Sequence, residues 1–549
     1  MNTPRVSALF QNCNSAVFSS RANPHVTGIS YDSRTVEPGF LFFAIPGVHT
    51  DGHRFIPQAI NAGAAAIFHN RPQAELLDQL SSQINRARLS SVLFIQVEDV
   101  RRTMAEVSAE FYRRPQDTLS LIGVTGTDGK STTVSLIYQL LSLLGEQAGF
   151  ISTVAMGINQ QLQENPLRQS TPESPEIFSL LNDMVSQGCA HAVIESTSHG
   201  LSEKTRRLHG IRFTTGVFTN ISHEHLEFHG SFEQYRYDKA NLFRSLGTRS
   251  RPPEPPQPAD RPGSGIINAQ SHHARYMAEA AGLSDPETRI LFYGIHDRIP
   301  EENQDLPLSL QARVTQALPQ GSWVTMAYPE AGIQQDRRLW IPLPGEFMVE
   351  NTMAAVLAVH SHLAIPIGRI LEEVQHLEGV KGRMRRVDEG QDFSVIIDYA
   401  HTPGSFETVF PLFRKSTEKR LLALFGSGGE RDTEKRPIQG AIAGTYAEEL
   451  FLTDEDPRLE DPMAIIDEIA QGARDLQTRD PRARVQHIHR IIGREAAIEQ
   501  AFRSAQPGDL VVLLGKGHES SIITADGKIP WDEEAVARRI LRKLMGEGT

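Results

Sequence analysis

Apolar and polar positions along this chain switch repeatedly between the period of a buried strand and the period of a helix. Residues 119–144 read LSLIGVTGTDGKSTTVSLIYQLLSLL, with Leu119, Leu121, Ile122 and Val124 as a short apolar run of buried-strand type. From Ser131 onward Val134, Ile137, Leu141 and Leu144 recur at helical spacing. The same reading predicts strands over residues 40–45, 150–154, 192–195, 215–221, 265–268, 395–397, 421–425, 449–452 and 510–514. It predicts helices over 55–62, 101–112, 175–185, 232–246, 275–281 and 350–363, and an alternating segment over 322–328. Strands that take turns with helices predict an α/β protein with mostly parallel sheets.

The turn between the first strand and its helix carries the main chemistry. Gly126, Thr127, Asp128 and Gly129 are small or polar, and Lys130, Ser131 and Thr132 open the helix. In such a turn backbone N–H groups close on phosphate oxygens and the helix N-terminus adds its positive end. Lys130 is then placed for the terminal phosphates and the Ser131 hydroxyl for Mg²⁺. The general phosphate loop has glycine where this chain has Val124, with glycines at Gly123 and Gly126 instead. An ordinary strand-to-helix turn gives no reason for Gly129, Lys130 and Ser131 to be adjacent.

With 549 residues, 39% hydrophobic and 22% charged, the chain is predicted to hold three or four domains of ordinary globular composition. The net charge of −12 speaks against an extended nucleic-acid surface, so anionic ligands need local sites. Two cysteines, Cys13 and Cys189, exclude a disulfide framework or a Cys-rich zinc site. No stretch has the length of a membrane span and the N-terminus has no leader pattern, which predicts a cytoplasmic protein. Boundaries are expected near residues 115 and 342, giving domains over 1–115, 116–342 and 343–549. A Pro-rich insertion over 249–265, without apolar periodicity, splits the second.

Further polar clusters lie at strand ends, where open α/β sheets bind ligands. Asp32, Ser33 and Arg34, and the segment 49–53 beginning at His49, read more readily as solvated turns than as sites. Glu195 ends a strand and is placed to hold Mg²⁺ or to cap the next turn. His223, His225 and His229 within seven residues fit either a metal site or a polar loop. Lys239, in the helix after them, reads as a surface lysine on residue statistics.

Six motifs occur in order: residues 126–132, Glu195-Ser196-Thr197-Ser198-His199-Gly200, Thr219-Asn220-Ile221-Ser222 with His225 and His229, Asp398-Tyr399-Ala400-His401-Thr402-Pro403, residues 426–437, and Gly515-Lys516-Gly517-His518-Glu519. With them the chain strongly resembles the Mur ligases, on the branch that adds a diamino acid, over nearly all its length outside the Pro-rich insertion. The resemblance implies a small N-terminal α/β domain for the UDP end of the substrate, a central P-loop ATPase domain with a mostly parallel sheet, and a C-terminal Rossmann-like domain for the amino acid. It implies that Ser33, His49, Thr171, Ser198 and Arg207 contact the UDP-sugar peptide. It implies that Asn351, Arg383, Asp398 and His401 join residues 126–132 on ATP. Lys130, Glu195, His225 and Lys239 become the catalytic set, with Ser131, Glu195, His225 and Lys239 on Mg²⁺. In the family the residue matching Lys239 is carbamylated by CO₂, which makes it an anion and a metal ligand.

Asp128 and Met348 stand where the family commonly has Asn. For the amino acid the resemblance points to Asp456, Arg458, Gly515 and Glu519. Where diaminopimelate enzymes have Asp-Asn-Pro-Arg, this chain has Glu455-Asp456-Pro457-Arg458. Arg458 favours a distal carboxylate, whereas Asp456 repels it and suits the ammonium of lysine or ornithine, unless the two pair with each other. The implied reaction is ATP-dependent addition of a diamino acid, meso-diaminopimelate ahead of lysine or ornithine, to UDP-N-acetylmuramoyl-L-alanyl-D-glutamate through an acyl phosphate. The expected partners are these small molecules alone, with a monomeric protein. Three other readings compete: another Mur or folylpolyglutamate-type ligase, a His-loop metal-dependent hydrolase, and a non-catalytic UDP-sugar or nucleotide-binding protein.

Overall fold

The apolar run over 119–124 folds as the strand Ser120–Thr125, buried along its whole length. It lies between two parallel neighbours, His191–Glu195 and Thr215–Phe218, both later in sequence. A computed structural model describes residues 3–10, 16–18, 23–47, 50–159, 161–165, 167, 169–222, 226–247, 262–318, 320–417 and 419–546. His49, His223, His225 and most of the Pro-rich insertion lie outside the described residues. The chain divides into two units, one of residues 1–294, 298–309 and 354–370, the other of 295–297, 310–353 and 371–549.

The first unit holds two sheets. In one, Gly28–Ser30, Phe40–Phe43, Ala66–His69 and Leu93–Val97 run parallel, and Ala16–Phe18 closes the edge antiparallel to Leu93–Val97. In the other the order is Arg289–Ile295, Ser264–Asn268, Thr215–Phe218, Ser120–Thr125, His191–Glu195 and Ala148–Ile151, all parallel. Ala155–Ile158 and Gln161–Glu164 then continue antiparallel at the edge. Parallel strands are covered on both faces, which is why their sequences read as continuous apolar runs. The helix Lys130–Leu143 buries Val134, Ile137, Leu140 and Leu141, and Ser174–Ser186 buries Ile177, Phe178, Leu181 and Met184 against the sheet.

The second unit has its own α/β sheet, ordered Arg385–Val387, Ser394–Asp398, Leu510–Leu514, Leu421–Phe425, Glu449–Leu452 and His487–Arg490. All its pairs are parallel except the first. The alternating segment over 322–328 is the middle of an antiparallel meander, Leu308–Leu318, Gly321–Glu330 and Ile333–Ile341.

Several predicted elements begin or end differently. The strand over 150–154 stops at Ile151, because the Ser152 hydroxyl bonds the Ala155 carbonyl and turns the chain back. The strand over 215–221 stops at Phe218, since Thr219 and Asn220 are committed to the glycine turn. The helix over 350–363 begins a turn earlier, at Glu346.

Candidate active site

In the first unit the carboxyl ends of three adjacent strands meet around the turn at Gly126. Gly126 has φ +156°, and a Cβ there would lie 1.9 Å from Thr219 Oγ1 and 3.1 Å from the Asn220 carbonyl, so this position excludes a side chain. The turn is bolted from the Thr215–Phe218 side. Asn220 Oδ1 accepts from Asp128 N at 2.8 Å, its carbonyl accepts from Thr127 N at 2.9 Å, and Thr219 Oγ1 donates to the Asp128 carbonyl at 2.6 Å. Thr127 Oγ1 also bonds Tyr235 OH at 2.9 Å. Gly129 precedes the helix with φ +79°. Lys130 Nζ donates to the Gly126 and Thr127 carbonyls at 3.0 and 2.6 Å.

Glu195 is buried at the end of the neighbouring strand. Its Oε2 accepts from Ser131 Oγ at 2.9 Å and from Thr153 N at 2.9 Å, and its Oε1 accepts from Thr153 Oγ1 at 3.0 Å. A carboxylate held beside a hydroxyl is a donor set of hard oxygens, which fits Mg²⁺. Lys239 overturns its surface reading: it is 1% exposed, its Nζ donates to the Gly126 carbonyl at 2.5 Å and lies 4.5 Å from the Tyr235 ring centre. The helix Phe232–Arg244 turns this face inward because Tyr235, Asp238, Lys239, Leu242 and Phe243 share it. Among the described residues no group of three His, Cys, Asp or Glu is arranged to hold a metal ion.

The expected UDP-sugar contacts fall in the same unit. Ser33 is buried with its Oγ donating to Gln58 Oε1 at 2.9 Å, which corrects its reading as a solvated turn, while Arg34 is exposed and paired with Asp32. Thr171 Oγ1 donates to the Glu195 carbonyl at 2.7 Å. Arg207 lies beside it, with Nη1 on the Thr171 carbonyl at 2.9 Å and an ion pair to Glu173 at 2.9 Å. Ser198 is bonded to His229, and His229 to Asp238. Thr153, Tyr235 and Asp238 carried no signal that sequence reasoning used.

In the second unit polar groups gather at the carboxyl ends of the parallel strands. Asp398 accepts from Met384 N and Ala400 N, each at 2.8 Å; burial pushes its carboxyl up, opposed by the Arg383 guanidinium. Arg383 lies 4.9 Å from the Tyr399 ring centre, and His401 Nδ1 is 2.9 Å from the Tyr399 carbonyl. Asn351 and Met348 are both buried in the helix Glu346–Leu363.

Gly515 has φ +98°, and a Cβ there would lie 2.6 Å from Glu455 Oε2. Asp456 does not pair with Arg458. Its Oδ1 accepts from Lys516 Nζ and from Ile523 N, both at 2.9 Å, and the fully buried Lys516 also bonds Glu519. Arg458, at φ +56°, keeps a buried Nε without a hydrogen-bond partner, as do Glu455 Oε2, Ser427 Oγ and His518 Nδ1. Burial, with nearby cations, holds His518 down at about 3, so it is neutral. Unpartnered buried polar atoms converging on strand ends mark a ligand site. Lys516 was in view in the Gly-Lys-Gly-His-Glu motif, but its pairing across 60 residues was not.

Three family models match the chain in order: Mur ligase family, catalytic domain, over residues 25–112; Mur ligase middle domain over 124–359; and Mur ligase, glutamate ligase domain, over 382–517. The chain belongs to the Mur ligase family. It is therefore an ATP-dependent, ADP-forming ligase. It is 42% identical over 541 residues to the UDP-N-acetylmuramyl-tripeptide synthetase of Treponema denticola, covering 96% of this chain and 93% of that protein. A Roseiflexus protein of the same name is 42% identical over 525 residues, covering 95% and 96%. Among solved structures, a UDP-N-acetylmuramoyl-L-alanyl-D-glutamate–2,6-diaminopimelate ligase is similar at TM-score 0.63 and 27% identity, covering 95% of this chain and 96% of that one. Among the described residues no helix is long and apolar enough to cross a membrane.

Proposed function

We propose that this Mur ligase adds a diamino acid to UDP-N-acetylmuramoyl-L-alanyl-D-glutamate in the cytoplasm, as a monomer with domains over residues 1–115, 116–342 and 343–549. The observation that carries the reading is the Ser131–Glu195 pair beside Lys130 and the closed turn at Gly126. Hydroxide is a poor leaving group, so ATP first phosphorylates the D-glutamyl carboxylate, and the amine then displaces phosphate through a tetrahedral intermediate. In that scheme the N–H groups of residues 126–132 cradle the phosphates and Lys130 neutralises charge as the phosphoryl group passes between two anions. Ser131, Glu195, His225 and a carbamylated Lys239 hold Mg²⁺. Bound there, Mg²⁺ supplies further charge neutralisation to the transferring phosphoryl group. Asn351, Arg383, Asp398 and His401 are assigned to ATP, and Ser33, His49, Thr171, Ser198 and Arg207 to the UDP-sugar peptide.

Asp456, Arg458, Gly515 and Glu519 are assigned to the amino acid, with meso-diaminopimelate ahead of lysine or ornithine. Two observations support that order: Lys516 offsets the charge of Asp456, and Arg458 is not spent on an internal ion pair. The name of the similar solved structure, a diaminopimelate ligase, points the same way. The test is ADP release from the UDP-dipeptide against meso-diaminopimelate, lysine, ornithine and alanine. The expected order of kcat/KM is diaminopimelate first; alanine matching all three would overturn the diamino-acid assignment.

A further inference from the structure

Ser198, His229 and Asp238 form a buried line of hydrogen bonds that the reaction scheme above does not use. Ser198 Oγ is 3.1 Å from His229 Nε2, and His229 Nδ1 is 2.7 Å from Asp238 Oδ2. All three residues are at most 4% exposed. The other carboxylate oxygen, Asp238 Oδ1, accepts from Gln234 Nε2 at 3.0 Å. With both oxygens accepting, Asp238 is an acceptor only, so His229 carries its proton on Nδ1. In the neutral imidazole Nε2 is then a lone pair, which the Ser198 hydroxyl proton bridges. Phe228 at 4.7 Å, Tyr235 at 5.1 Å and His199 at 5.3 Å pack rings around the imidazole and fix its plane.

We propose that His229 and Asp238 are positioning residues that hold the Ser198 hydroxyl proton inward, so that Ser198 reads its ligand only as a hydrogen-bond acceptor. A serine free to rotate takes either a donor or an acceptor; one whose proton is spent on His229 rejects a carbonyl and accepts an N–H. The chemical group recognised is therefore a hydrogen-bond donor, and we assign it to an amide N–H, of which the N-acetylmuramoyl dipeptide offers several. This deepens the proposed function and rests on the assignment of Ser198 to the UDP-sugar peptide. The arrangement matches the order of groups in a serine hydrolase triad, but here it serves orientation.

Asp238→Asn separates orientation from packing. An amide at that position donates to His229 Nδ1, which moves the imidazole proton to Nε2 and turns the Ser198 proton outward toward the ligand. His229→Asn is the second variant: its amide keeps a group near Asp238 and leaves Ser198 without its acceptor. Binding of the UDP-dipeptide and of ATP is measured by calorimetry without turnover, for wild type, Ser198→Ala, both variants and the Ser198→Ala/Asp238→Asn double. Expected is a loss of UDP-dipeptide affinity of about fivefold to tenfold in each single variant. The double should lose no more than either single, and ATP affinity should stay unchanged. If either single variant binds the UDP-dipeptide like wild type, or the two effects multiply in the double, the positioning role is wrong; should Asp238→Asn not fold, His229→Asn decides alone. If wild type itself does not bind the UDP-dipeptide, the proposed function falls as well, so the two failures are distinguishable.

Discussion

Replacing Glu533 by Gln tests how the second unit holds the site proposed for the amino acid. Arg494 and Glu533 are both fully buried and meet face to face, Nη2 to Oε1 at 2.6 Å and Nε to Oε2 at 2.9 Å. Trp531 Nε1 donates to Oε2 at 2.6 Å, and the guanidinium also reaches the carbonyls of Leu514 at 2.7 Å and Asp454 at 3.1 Å. Those carbonyls immediately precede Gly515 and Glu455, so the ion pair anchors two of the strand ends that form the site. Removing one charge of a buried pair strands the other without compensation and costs about 3–5 kcal/mol. For a unit of this size each kcal/mol moves the midpoint about 2–4 °C, so Glu533→Gln should lower it by about 6–20 °C. Thermal unfolding by calorimetry reads this directly, and KM for the amino acid should rise alongside. The double variant Arg494→Met/Glu533→Leu, with neither charge left to desolvate, should recover most of the loss. A midpoint within about 1 °C of wild type in the single variant would refute the reasoning, since it would mean that water or another anion reaches Arg494.

Gly126→Ala should lower ATP affinity by about tenfold or more, because the added methyl meets Thr219 and the Asn220 carbonyl; titration with ATP checks it. On the proposed function, Lys239→Ala should cut turnover about a hundredfold, with partial recovery in added formate or acetate, read by ADP release. Burial holds the pKa of His69 down to about 4 from 6.5, so its share of stability is full above about pH 6.5 and is lost as pH falls toward 4. Urea midpoints measured from pH 7 to 4 should therefore fall less steeply in His69→Gln than in wild type.

Much of the fold is readable from period alone. The strands Leu421–Phe425, Glu449–Leu452 and Leu510–Leu514 coincide with the predicted limits, because a parallel strand covered on both faces reads as a continuous apolar run, here interrupted only by Glu449 at the start of its strand. Where a strand end has a second duty its limit is not local information: Phe218 ends its strand because Thr219 and Asn220 hold a turn at Asp128, 91 and 92 residues earlier. Of the meander from Leu308 to Ile341 only the middle strand is read from the sequence: Ile333–Ile341 is polar or charged from Gln334 to Arg338, and Leu308–Leu318, although apolar and polar residues alternate as far as Val314, buries only Leu310 and Ala312. In the site, the motifs located Lys130, Ser131, Glu195 and Lys516, but not which side chains hold them. Residue statistics alone put Lys239 on the surface, while the resemblance put it in the site; the statistics miss because they average over lysines that have no carbonyl like that of Gly126 to bond. The Asp456–Lys516 pair joins residues 60 apart through the ends of nonadjacent strands, a contact no local window contains.

The central position of Ser120–Thr125 also sets a schedule for the nascent chain. Both of its neighbours come later in sequence, and the turn at Gly126 is closed by residues as far on as Asn220, 92 positions after Asp128. At translation rates of about 5–20 residues per second, the glycine turn spends on the order of 5–20 s outside the ribosome before its clasp emerges in turn. During that interval the apolar strand has no partner on either edge and is a candidate for capture by a chaperone or by another nascent chain. On the proposed function, nucleotide cannot steady this part of the polypeptide as it emerges, because the loop assigned to phosphate is completed only after Asn220 has left the exit tunnel.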